Sequence, residues 1–240
     1  MGESSEVRRV FAVGAHPDDC ELLCGGTLAR FAANGVAVTI CAVARGDKGL
    51  RDASPGESAA RRFAEATDAA ALIGAKYVCL GAADGDIAGT GELRSLLLEA
   101  FRRARPDLVL AHWPDDYHAD HGAAGQLATD CSWFAASPAH QTNSPALAEP
   151  VPVLYFDTLA GLSFEPTEYV DVSTVWPQKE AMLRCHASQL GASAQHGDRD
   201  LIALVRDLAR LRGHQCGVEY AEGFRPCLKW KRVRPYRLLP

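Results

Sequence analysis

Val10-Phe11-Ala12-Val13-Gly14-Ala15-His16-Pro17-Asp18-Asp19-Cys20-Glu21 is the stretch on which the fold turns. Its opening run is apolar without polar alternation, the pattern of a short strand buried on both faces, as in a parallel sheet. Pro17 disfavours the helical region for His16, so the strand gives way to a turn there. An imidazole and two adjacent carboxylates therefore stand at the end of a buried strand. Further on, Leu108-Val109-Leu110-Ala111 is a second such run, and Tyr117-His118-Ala119-Asp120-His121 follows it. Positions i and i+3 of a helix start share a face, which sets His118 beside His121. Two histidines and one carboxylate with an open position make a catalytic metal set. Two such clusters at two strand ends point to a hydrolytic metalloenzyme.

Outward from these runs the chain alternates apolar strands with helical stretches. Strands are expected at Val10–Ala15, Val36–Val43, Tyr77–Leu80, Leu108–Ala111 and Val153–Phe156. Helices are expected at Gly26–Asn34, after two glycines, at Glu57–Ile73, ended by Gly74, and at Glu92–Arg105, stopped by Pro106. Further helices are expected at Gly122–Phe134, Gln178–Leu190 and Asp198–Leu211. The predicted architecture is an α/β, Rossmann-like, doubly wound and mostly parallel sheet with helices on both faces. It forms one domain over 1–240 with an elaborated C-terminal third, and no repeat or boundary interrupts it. Ala135–Pro152 carries prolines at 138, 145, 150 and 152 and no periodicity, and a loop of that length reads as a lid or a specificity element.

The 240 residues suffice to bury a full core, and a charged content of 23% with a net charge of −5 gives no global basic field for nucleic acid. One local exception is Lys229-Trp230-Lys231-Arg232-Val233-Arg234-Pro235-Tyr236-Arg237, which reads as a solvated or subunit-packing tail. No segment approaches the roughly 18 apolar residues of a membrane span, and the polar, acidic start Met1–Glu6 is no secretory signal. The expected location is cytoplasmic. The eight cysteines show no CxxC pairing and read as small core residues. Cys20 and Cys24 flank the site and stand as alternative thiolate ligands.

Asp18 and Asp19, as sequence neighbours, diverge, so one can ligate a metal while the other faces a water. Two carboxylates this close are costly in a dry pocket unless a cation or a proton neutralises them. Helix capping accounts for one of the two aspartates at most, and not for His16 or the second cluster. The first turn argues against a nucleotide-binding reading, since it lacks GxGxxG and its acids would repel a pyrophosphate.

With these residues in hand, the His-Pro-Asp-Asp-x-Glu signature and the later His-x-Asp-His resemble the LmbE/PIG-L family of zinc-dependent N-deacetylases. Arg45-Gly46-Asp47, the helix with Glu57, Arg62 and Glu65, and Leu80-Gly81-Ala82-Ala83-Asp84-Gly85 are similar to further family segments. So are Lys179 with His186-Ala187-Ser188-Gln189, and Tyr220-Ala221-Glu222-Gly223-Phe224. Ala119 departs from the proline several relatives carry there, without touching a side chain that does chemistry. The resemblance implies His16, Asp19 and His121 as ligands of Zn2+, with Fe2+ or Co2+ as substitutes. It implies Asp18 as general base, His118 as the group that polarises or protonates the amide, and Asp120 as its orienting partner. Arg62, Asp84 and His186 match positions implied to face substrate, and Glu21 supports the site. The implied reaction removes an N-acetyl or N-acyl group from an N-acetylglucosamine-type conjugate, a small-molecule substrate. Alternatives are an amidase for a thiol conjugate or a glycopeptide acyl chain, and a non-catalytic sugar- or nucleotide-binding module. A homo-oligomer stays open.

Overall fold

The computed structural model describes residues 7–87, 91–190 and 200–233. Met1–Glu6, the basic residues from Arg234 onward and the first residues of the expected helix Asp198–Leu211 lie outside these. The strands are β1 (Arg9–Gly14), β2 (Ala37–Ala44), β3 (Lys76–Ala82), β4 (Leu108–Ala111), β5 (Val153–Phe156), β6 (Glu168–Asp171) and β7 (Ala221–Pro226). They form one sheet in the order β3-β2-β1-β4-β5-β7-β6. The first five pair in parallel, while β7 runs antiparallel to both β5 and β6. The helices are α1 (Asp19–Ala33), α2 (Pro55–Ala71), α3 (Gly91–Ala104), α4 (Ala119–Phe134), α5 (Trp176–Cys185) and α6 (Leu201–Cys216).

Successive strand residues point to opposite faces, and the core divides accordingly. Val10, Ala12, Leu108 and Leu110 pack with α1, α2, α5 and α6 on one side. Phe11, Val13, Val109 and Ala111 pack with α3 and α4 on the other. The doubly wound α/β expectation is met. Among the described residues no helix is long and apolar enough to cross a membrane.

Three differences from the sequence expectation have physical causes. First, α1 starts at Asp19 and runs straight through Gly25 and Gly26. Gly26 opens no helix. A Cβ there would come within 2.7 Å of Val172 Cγ1, so the glycine marks a close approach between α1 and the segment after β6. Second, α2 begins two residues earlier than expected, because Ser54 and Glu57 form a reciprocal capping box and Pro55 takes a first-turn position. Third, β6 and β7 are short and carry Glu168, Glu222 and Arg225, so no apolar run announced them.

The fourth difference bears on function. Pro152 leads into the amino end of β5 (its carbonyl accepts the Val109 amide), and Cys227 donates to the carbonyl of Val153, the first residue of the same strand. The loop 135–152 and the start of the tail therefore lie at the amino ends of the parallel strands. The sixteen residues of α4 separate them from His118, about 24 Å at 1.5 Å per residue. The loop is no lid over the clusters, and neither it nor the described part of the tail reads substrate there.

The loop is pinned. Arg102 donates to the carbonyls of Ala135, Ser137 and Ser144 and to Thr142 Oγ1, while Glu99 accepts from the Ser144 amide (2.9 Å) and hydroxyl (2.9 Å). Burial pushes the Glu99 carboxyl up, but Arg103 and both Ser144 donors outweigh it and hold it at about 2. A depressed carboxyl stabilises the fold above its ordinary value and ceases to do so as pH falls through the folded value. The loop is thus expected to loosen as pH falls from about 4.5 to about 2. Amide exchange at 137–147 measures this, and unchanged protection across that window refutes the anchor.

Candidate metal centre

The sheet order reverses between β1 and β4, where Val13 pairs with Ala111. In open α/β sheets the crevice at the carboxyl ends beside such a reversal receives ligands. The turn after β1 delivers His16, Asp18 and Asp19 into it, and the turn after β4 delivers His112, Asp116 and His118. The first turns of α4 add Asp120 and His121. Gly125 lets α4 approach this closely, since a Cβ there would lie 2.4 Å from the His112 carbonyl oxygen.

His16, Asp19 and His121 each bring one ligand atom within 4.8 Å of the others. Two further groupings meet the same distance, His16 with His118 and Asp120, and His112 with Asp116 and His121. Hydrogen bonding separates the three. Asp120 Oδ2 lies 2.9 Å from His16 Nε2 and accepts the Gly85 amide at 2.7 Å, so its carboxylate backs His16 from behind. Asp116 Oδ1 lies 3.4 Å from His121 Nδ1 and backs that ring in the same way. His112 Nε2 lies 3.0 Å from Asp19 Oδ2, which also accepts the His16 amide at 2.7 Å. Each member of the His16/Asp19/His121 set is thus held on its outer side by a partner while its inward atom faces the others, with His16 Nδ1 3.5 Å from Asp19 Oδ2 and His121 Nε2 3.4 Å from Asp19 Oδ1. Metal-binding histidines and carboxylates are characteristically held this way.

The protonation of the set fits a cation. Burial works against charge on His121 and His16, but the Asp19 carboxylate and, for His121, Asp116 outweigh it, raising them to about 10 and about 9. Asp19 itself is held well below the usual range: burial opposes its charge, and His121 and His112 prevail. A divalent cation would take the place of those protons, so its uptake releases them and weakens as pH falls. Cys20 and Cys24 belong to none of the candidate groups. A mutual hydrogen bond and burial raise the Cys20 thiol, and burial raises that of Cys24, which keeps both protonated.

Asp18 sits at the N-cap position of α1 but makes no capping hydrogen bond. Its Oδ1 instead accepts from Arg62 Nη2 at 3.0 Å, the same nitrogen that donates to the Pro17 carbonyl. Its φ of 139° is sparsely populated by non-glycine residues, a strain of about 1–3 kcal/mol of the kind found at working sites. Burial pushes the Asp18 carboxyl up, Arg62 pulls it back, and the Asp19 charge pushes it up again.

His118 caps α4. Its Nδ1 accepts the Asp120 amide at 3.2 Å. An amide nitrogen can only donate there, so a neutral His118 carries its proton on Nε2. Burial and the His121 and His16 charges lower its pKa and keep it neutral. Its ring stacks on His121 at 4.5 Å and meets His16 edge-on at 5.2 Å. Asp120 was expected to orient His118; it does so through its backbone, and its carboxylate serves His16.

The three residues expected to face substrate are all buried: Arg62 is 4% exposed, Asp84 8% and His186 2%. Arg62 is spent on Asp18 and Pro17, and the loop glycines Gly46 and Gly49 close over it with no room for a Cβ. Asp84 accepts the Gly46 and Lys48 amides and so builds the loop after β2. His186 lies 3.8 Å from Glu21, beneath Asp18. These residues shape the site from below. Sequence reasoning missed His112 and the role of Asp116. The signal for His112 was its place directly after the Leu108–Ala111 run, much as His16 closely follows Val10–Gly14.

A diacetylchitobiose deacetylase of Thermococcus kodakarensis is 29% identical over an alignment of 243 residues, covering 92% of this chain and 84% of its own. A 4-oxalmesaconate hydratase of Pseudomonas putida is 27% identical over 192 residues, 76% of this chain and 74% of its own. Among solved structures, an N,N'-diacetylchitobiose deacetylase from Pyrococcus horikoshii matches with a TM-score of 0.81 at 27% identity, over 92% of this chain and 84% of the other. The family model described as PIG-L, GlcNAc-PI de-N-acetylase, matches residues 11–132, more than half of the chain, and spans both His/Asp clusters. On that match, with the reversal point and the strand order already in place, this chain belongs to the PIG-L family.

Proposed function

We propose that the chain is a zinc-dependent N-deacetylase that hydrolyses the N-acetyl group of an N-acetylglucosamine-type amino sugar, with His16, Asp19 and His121 as ligands. One observation carries the reading: Asp18, a carboxylate in none of the candidate metal groupings, follows directly on the turn of His16 and is held by an arginine, while His118, in one of those groupings, has its donor atom fixed. Two nitrogens and one carboxylate also accept Fe2+ or Co2+. A divalent cation held there supplies a Lewis acid and makes water acidic enough to attack near neutral pH.

The chain's own groups supply the rest. Asp18 takes the proton of the attacking water, its carboxylate aimed by Arg62. His118 Nε2–H donates to the acyl oxygen as negative charge builds on it, a contribution of several kcal/mol in comparable sites. His118 cannot take up a second proton on Nδ1 without giving up the α4 cap, so Asp18 carries the proton onward to the leaving amine. Acetate and a free amine result. Aglycone recognition falls to the loops at the carboxyl ends of the strands, where Tyr117 is the exposed aromatic beside His118 and His121.

The test is metal content of wild type and His121→Ala, alongside acetate release from N-acetylglucosamine and N,N'-diacetylchitobiose. About one zinc per chain, lost in the variant, with acetate released, is the expected result. Zinc without acetate from any amide overturns the deacetylase and turns attention to water addition across a double bond, the chemistry named for the Pseudomonas relative.

A further inference from the structure

We propose that His112 is a positioning residue that sets the metal affinity of the site by gripping two of its ligands at once. It stands at the end of β4, fully buried, and no part of the reaction above uses it. Its Nε2 holds Asp19 Oδ2 at 3.0 Å while the His16 amide holds the same oxygen at 2.7 Å. Two donors thus hold Oδ2 in place, which fixes how the Asp19 carboxylate faces His16 and His121.

The same imidazole stacks on His121, with ring centroids 4.1 Å apart and planes within 23°. Asp116 meets the far nitrogen of His121, and Phe156 closes against the His112 ring edge at 4.8 Å. His112 is thus packed on one side, bonded to one ligand and stacked on another. The alternative is that it merely fills space. A filler would have no reason to be polar: the other nitrogen, Nδ1, is buried with no hydrogen-bond partner, a desolvation cost that a phenylalanine would avoid. The donor to Asp19 is what the imidazole adds over a ring of carbon.

The inference rests on the metal reading above, and its test does not need the substrate. Zinc affinity is measured by chelator competition on metal-stripped wild type, His112→Phe and His112→Gln, with the melting temperature of each stripped protein. Phe keeps the ring and removes the donor. Gln returns an N–H close to the position of Nε2. We expect His112→Phe to bind zinc roughly 10- to 100-fold more weakly, and His112→Gln to recover most of that loss, with the stripped proteins melting alike. Zinc affinity in His112→Phe equal to wild type overturns the proposal and leaves the deacetylase reading standing. So does a Gln variant as weak as the Phe variant. Should the Phe variant not fold, His112→Asn, whose amide stops short of Asp19, takes its place with the same expectation. A wild type without zinc affinity overturns both readings.

Discussion

Asp18→Asn is expected to keep its zinc and lose at least ~10²-fold in kcat, the scale for removing a general base. The substitution isolates the proton transfer unusually well. Asp18 belongs to none of the candidate metal groupings, so stoichiometry should hold. Asn has nearly the shape of Asp, and its carbonyl oxygen can still accept from Arg62. What it lacks is a lone pair basic enough to take a proton from water. Alanine would be a poorer probe, because it would leave the buried Arg62 guanidinium without its carboxylate. Metal analysis and single-turnover rates on the same preparation check the expectation. Loss of zinc in the Asn variant would mean that Asp18 is a ligand and Asp19 the base. An undiminished kcat would remove Asp18 from the chemistry altogether.

The largest effect on stability is expected from Lys179→Met. Glu222, on β7, accepts the amides of Gly26 (2.9 Å) and Thr27 (2.7 Å) inside α1, and pairs with Lys179 Nζ at 2.5 Å. Lys179, on α5, also donates to the Leu22 carbonyl at 2.9 Å. Both side chains are almost entirely buried, so three elements meet on one dry ion pair. Removing one partner strands the other charge, at a cost of about 3–5 kcal/mol, or a fall in Tm on the order of 10 °C for a chain of this size. The double variant Lys179→Met/Glu222→Gln should recover part of the loss, because no charge is then left unpaired, while the Gln NH2 faces one of the two backbone amides it would have to accept. Denaturant melts of the two single variants and the double one decide it. A Lys179→Met protein as stable as wild type would mean that Glu222 is satisfied by the two amides alone. The effect reaches the site through α1, whose first residue is the proposed ligand Asp19.

The two predictions divide along what a linear reading can see. Asp18 and Asp19 were visible as neighbours beside His16 because the turn after β1 packs its chemistry into four consecutive residues. His118 and His121 were visible because helical spacing puts them on one face. The buried parallel strands were visible because burial on both faces removes polar alternation from β1 and β4. The Lys179–Glu222 pair was quoted from sequence only as two separate family segments, since 43 residues separate its members and neither has a local pattern. The same holds for His112, where a lone histidine after a strand has no periodicity to betray it, and for Gly26, whose meaning depends on Val172.

The chain alone determined the two strand–turn clusters and the α/β alternation, because each is written within a few consecutive residues or one helical turn. Only the tertiary structure decided which carboxylate backs which histidine and that Arg62 aims Asp18 from a buried position. It alone placed the loop 135–152 on the far end of the sheet. Those outcomes depend on where strand order reverses and on which way each connection returns, and no local spacing encodes contacts between residues distant in sequence.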